Sequence, residues 1–166
     1  MHPQSAKTRR LAACAVVAAL YAALTILTAS FSFGPLQLRL AESLCVLPLF
    51  APYLGWGLVV GCLIANLFST VSALDLIVGP LATALACILL TRRRRPWVAI
   101  LAPVLCNGAL VGAMLSWVNL PADRFWHGLA VFGGEVALSE LAVMLLAGLP
   151  LLLLLRRTDL LHRLGL

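Results

Sequence analysis

Charge is what this sequence has least of. Only 11% of its 166 residues are Asp, Glu, Lys or Arg, and six of them are acidic. A soluble domain carries about 25% charged residues, so a wholly water-facing surface is excluded. Histidine is scarce as well: His2, His127 and His162 sit near the chain ends or at a helix end. The five cysteines, Cys14, Cys45, Cys62, Cys87 and Cys106, form no CxxC pair and lie inside apolar runs. Metal ligation needs clustered Cys or His at short spacing, so a metal centre is not expected and the cysteines read as buried free thiols. No nucleophile stands beside a base and no HExxH helix occurs, so neither catalysis nor a cofactor is expected.

What is present is hydrophobic: 63% of the chain. A lipid bilayer accounts for that excess, because a helix crossing about 30 Å of hydrocarbon needs roughly 20 apolar residues. The expected fold is an all-α membrane protein, a six-helix transmembrane bundle in a single domain over residues 1–166. The spans fall at about 11–29, 40–54, 58–71, 74–90, 97–117 and 126–155. The second is short and interrupted by Pro48 and Pro52, which suits a protein-buried position where neighbours satisfy freed carbonyls. The first shares the basic start and small-residue exit of a signal peptide, but is long enough to span.

Charge placement sets the orientation. With six crossings, Lys7, Arg9, Arg10, the run Arg92 to Arg95, and Arg156, Arg157 and Arg163 all meet one side, leaving Arg39 and Arg124 on the other. The positive-inside rule then puts both termini in the cytoplasm of a prokaryotic cell, with the protein in its plasma membrane. This asymmetry also explains the net charge of +6. Arg92 to Arg95 form a short loop without interleaved aromatics, which argues against nucleic acid and for contact with membrane lipid headgroups.

Polar groups inside a membrane are costly, so each is a candidate site residue. They are Arg39, Glu42, Asn66, Asp75, Asn107, Glu135 and Glu140. Four segments bring such groups toward the outer side, which implies a polar cavity open outward with aromatic walls from Phe31, Phe33, Trp117 or Trp126. Its acids outnumber its one cation, favouring a ligand with amine or amide donors. Arg39 has a simpler role open to it, pairing with Glu42 three residues on. Glu135 and Glu140 lie about 140° apart on an ideal helix and make no evident acid–base pair. Small residues form a further signal. Ala15, Ala19 and Ala23 line one face of the first span, smooth enough for a partner helix, and Gly57, Gly61, Ala65, Gly108 and Gly112 repeat that spacing.

Three stretches carry a resemblance: PLQLRLAESLCVLP at 35–48, GCLIANL at 61–67 and DLIVGPLAT at 75–83. Together they resemble the QueT-type family of queuosine-precursor transporters over roughly residues 9–155, with Val78 and Pro80 as modest departures. The resemblance implies a substrate-binding S component of an energy-coupling-factor (ECF) transporter. Such a component docks on a membrane coupling protein carrying two ABC-type ATPases, here through Ala15, Ala19 and Ala23. The implied ligand is a 7-deazaguanine precursor of queuosine, such as the aminomethyl form. On this view Glu135 accepts the guanine-like edge and Glu42 or Asp75 faces the aminomethyl group. Asn66 and Asn107 bond carbonyl or ring nitrogen atoms, and an aromatic wall stacks on the ring. A vitamin-binding S component, a stand-alone proton-coupled carrier using Glu140, and an assembly factor are the alternatives.

Overall fold

The computed structural model describes residues 3–32 and 38–158, and every regular element among them is helical. Helix α1, Pro3–Leu27, is followed by the short α2, Ala29–Ser32. A 3-10 helix, Leu40–Leu49, leads into α3, Leu54–Asn66. Then come α4, Asp75–Arg93, α5, Pro96–Asn119, and α6, Phe125–Val143. A π-turn at Met144–Gly148 joins α6 to α7, Leu149–Thr158. Pro150 has no N–H to give the carbonyl four residues back, and the widened turn falls where that bond is missing. Phe33, the side chain of Phe31, Arg163, His2, His162 and positions 35–37 of the first motif lie outside the described residues.

Four helical runs are long and apolar enough to cross a membrane: Ala6–Leu27, Asp75–Arg93, Pro96–Asn119 and Ala122–Thr158. The segment expected as a second span over 40–54 differs. Its first part is the ten-residue 3-10 helix, about 20 Å long at roughly 2 Å per residue, and Leu54 already belongs to α3. Residues 41 to 48 are all buried, and the segment packs against α1, α3, α4, α5, α6 and α7. It is a central plug wrapped by the longer helices, which is where a tighter, proline-containing backbone is tolerated.

Glycines fix the helix crossings. A Cβ on Gly57 would come within 2.5 Å of the Cys14 carbonyl oxygen, and one on Gly61 within 2.7 Å of that of Ala18. These pairings make α1 and α3 run in the same direction, with the 3-10 helix returning between them. Gly108 and Gly112 of α5 meet Ala137 and Gly133 of α6 in the same way, with rising numbers opposed, so these two are antiparallel. The glycines noted in the sequence thus serve packing within the chain. The turn between α4 and α5 is closed by Arg94 at φ 45°, whose N–H bonds to the Leu90 carbonyl at 2.7 Å.

The polarity is inverted relative to a soluble protein. Val16, Leu27, Ile77, Leu105, Leu138 and Leu146 are exposed, while Arg39, Glu42, Asn66, Asp75, Asn107 and Glu140 are buried. Trp56 and Trp97 are exposed near the arginine-rich end, and Trp117 and Trp126 near the other. Amphipathic rings at both ends of an apolar bundle match the aromatic belts found at membrane–water interfaces.

Candidate functional site

The buried polar side chains fall into three groups, each built by elements far apart in sequence. At the end of the bundle away from the arginines, Asp75 opens α4. Its Oδ2 accepts from Arg39 Nη2 at 2.8 Å and from Ser69 Oγ at 2.8 Å. Asn66, at the end of α3, donates through Nδ2 to the Asp75 carbonyl at 2.8 Å. A side chain on Gly79 would collide with that Asn66 amide and approach Arg39 Nη1 to 3.2 Å. All three sequence motifs therefore meet in one clasp: Arg39 from the first, Asn66 from the second, Asp75 and Gly79 from the third.

Deeper in, Glu42 projects from the 3-10 plug. Its Oε1 accepts a short hydrogen bond from the Tyr21 hydroxyl and another from Thr83 Oγ1 at 3.3 Å. Its Oε2 accepts from Cys45 Sγ at 3.0 Å. The Arg39–Glu42 pairing open from the sequence is replaced by Arg39–Asp75. The 3-10 helix turns Glu42 into the bundle, where three donors on three segments reach it.

The third group is Asn107 of α5 beside Glu140 of α6, both 2% exposed. Neither atom of the Asn107 amide, nor Glu140 Oε1, has a hydrogen-bond partner among the described residues. An unsatisfied buried polar atom costs about 1–3 kcal/mol. The Asn107 amide and one Glu140 oxygen thus keep unused hydrogen-bonding capacity side by side. Asp75 Oδ1 and Asn66 Oδ1 are also open, but their side chains are already held by other bonds.

The remaining expected site residues lie apart. Glu135 is exposed, at the edge of the α6 face that packs on the bundle: Val136 and Ser139 beside it are buried, Val131 and Leu138 exposed. Trp117 is 70% exposed on the outside of α5, an interfacial position rather than a cavity wall, and Trp126 is its counterpart on α6. The partner-face residues Ala15, Ala19 and Ala23 form an exposed stripe, while Ala18 and Ala22 turn inward onto α3.

Tyr21, Thr83, Ser69 and Cys45 were not among the expected site residues. Tyr21 carried a signal: it is one of two tyrosines in the chain and interrupts an alanine-rich apolar run. Thr83 closes the third motif but lies eight residues from the nearest other polar side chains on its helix, Asp75 and Thr91, so nothing local marks it.

A family model described as QueT transporter matches residues 11–157, most of the chain. No curated protein and no solved structure matches it.

Proposed function

The chain belongs to the QueT transporter family, and from that premise we propose that it is the S component of an ECF-type importer for a 7-deazaguanine queuosine precursor, such as the aminomethyl form. Six alternating segments cross the plasma membrane, with both termini in the cytoplasm. The observation that carries the ligand class is the open pair Asn107 and Glu140. A carboxylate with a neighbouring amide can accept the two parallel N–H donors of a guanine-like edge and bond its carbonyl. Glu42 adds negative potential suited to an aminomethyl cation, while its own oxygens are held by Tyr21, Thr83 and Cys45. Glu135, exposed on the same helix, is positioned to meet the ligand on entry. The exposed stripe Ala15, Ala19 and Ala23 supports docking of a membrane coupling protein with two ABC-type ATPases, since small residues let helices approach closely. This chain would capture the ligand and the partners would supply the energy.

The test is equilibrium binding by the purified full chain against aminomethyl-7-deazaguanine, guanine and biotin. Saturable binding of the deazaguanine, weakened at least about ten-fold by Glu140→Gln or Asn107→Ala, is expected; ten-fold corresponds to about 1.4 kcal/mol. Saturation by biotin alone would sink the ligand assignment. Uptake into vesicles holding only this chain, with no ATPase, would instead favour a proton-coupled carrier built on Glu140.

A further inference from the structure

A cleft of about 320 Å³ opens between α3 and α4 at the arginine-rich end of the bundle, a region the proposed capture site does not use. Tyr53, Trp56 and Val59 form one wall, and Ala84, Ile88 and Thr91 the other. The volume is at the low end for small-ligand pockets, about 300–1,000 Å³. The lining is almost wholly apolar, so a polar solute is a poor occupant. One feature of the lining is unresolved by the protein: the Tyr53 hydroxyl is buried and has no hydrogen-bond partner among the described residues. A phenol in that state calls for an acceptor oxygen brought in from outside.

Among the described residues, the charged side chains around the cleft are basic. The Arg10 guanidinium stands 5.3 Å from the centre of the Tyr53 ring. Arg92 follows Ile88 by one helical turn, so the face of α4 that lines the cleft leads into an exposed cation. No acidic side chain lines the cleft. Trp56, 74% exposed, and Trp97, 57% exposed, place this level at the membrane–water boundary. An apolar slot beneath two cations, with a donor at the junction, matches a molecule that is apolar at one end and anionic at the other.

We infer that this cleft binds an anionic phospholipid, its acyl chain between α3 and α4, an ester or phosphate oxygen on the Tyr53 hydroxyl, and its headgroup against Arg10 and Arg92. A lipid fits better than a partner helix, because an apolar helix would leave both the Tyr53 donor and the two cations unanswered. The site stands whatever ligand the chain transports and whichever leaflet the arginine-rich end meets.

The experiment measures lipids retained by the full chain, using native mass spectrometry after exchange into detergent with phosphatidylglycerol and phosphatidylcholine of identical acyl chains. Each cation near an anionic headgroup is worth about 1 kcal/mol, so retention of phosphatidylglycerol should exceed that of phosphatidylcholine by about ten-fold or more. Arg10→Gln with Arg92→Gln should abolish the preference, and Tyr53→Phe should reduce retention several-fold. Ala84→Phe or, independently, Val59→Trp should block the cleft and lower retention with all arginines in place. Helical circular dichroism and an unchanged thermal melt identify the variants that remain folded. Equal retention of the two lipids overturns the inference. So does a preference that survives both blocking variants, which would mean that headgroups merely adsorb on the arginine loop.

Discussion

The clasp at Asp75 and the pair at Asn107 and Glu140 are equally buried, yet they are opposites in how their hydrogen-bonding capacity is used. Asp75 answers Arg39, Ser69 and, through its carbonyl, Asn66. Asn107 answers nothing among the described residues, and Glu140 Oε1 is open beside it. Burial alone therefore does not separate the two groups; hydrogen-bond satisfaction does. The clasp ties the 3-10 plug, α3 and α4 into one unit. The open pair lies between α5 and α6.

The sharpest way to break this contrast is to remove Asp75. Asp75→Ala removes the buried carboxylate that Arg39 and Ser69 bond and should cost about 3–5 kcal/mol, seen as a large fall in thermal stability of the purified protein. Adding Arg39→Met should recover part of the loss, because the buried guanidinium goes with it. If the double variant is no more stable than the single one, Arg39 and Asp75 do not act as a pair.

Glu140→Gln should behave in the other manner. Stability should change by under about 1 kcal/mol, since no bond of the folded chain to Oε1 is lost, while deazaguanine affinity falls at least about ten-fold. A large loss of stability with affinity intact would move Glu140 into the structural class. Glu135→Ala offers a graded comparison on the same helix. As an exposed residue it should leave melting nearly unchanged, within about 0.5 kcal/mol, and slow ligand association more than it speeds release, measured by stopped-flow binding. The remaining prediction concerns a position outside both groups. Arg94→Gly relieves a left-handed backbone at φ 45° and should stabilise the protein by about 1 kcal/mol, with ligand binding unchanged.

Much of the architecture was legible because membrane solvation acts on composition and length. Long apolar runs favour helices in lipid, and α1, α4, α5 and the α6–α7 run are helices long and apolar enough to cross a membrane. The 3-10 plug was less legible. Pro48 and Pro52 signalled a protein-buried segment, but only packing on six other helices decided that it would be a tight ten-residue helix. Of the site residues, Arg39, Glu42, Asn66, Asp75, Asn107 and Glu140 were recognisable as polar groups that lipid would not tolerate. Trp117 was misplaced because an aromatic residue at a helix end suits a cavity wall and an interface equally well. Glu135 looked equivalent to Glu140 until the rotation of α6 put one at the edge and the other inside.

The sequence by itself determined that this chain lives in a membrane, where its apolar segments begin and end, which end is arginine-rich, and which few side chains would have to be buried. It did so because those properties depend on each residue's own cost of transfer into hydrocarbon. Only the tertiary structure decided which polar groups are spent on one another and which are left open. Arg39 finds Asp75 across 36 positions and Glu42 finds Thr83 across 41, while the Asn107 amide and Glu140 Oε1 are brought together without a hydrogen-bond partner among the described residues. Local helical rules reach three or four residues; these relations are set by how the plug, the glycine crossings and the rotation of each helix pack.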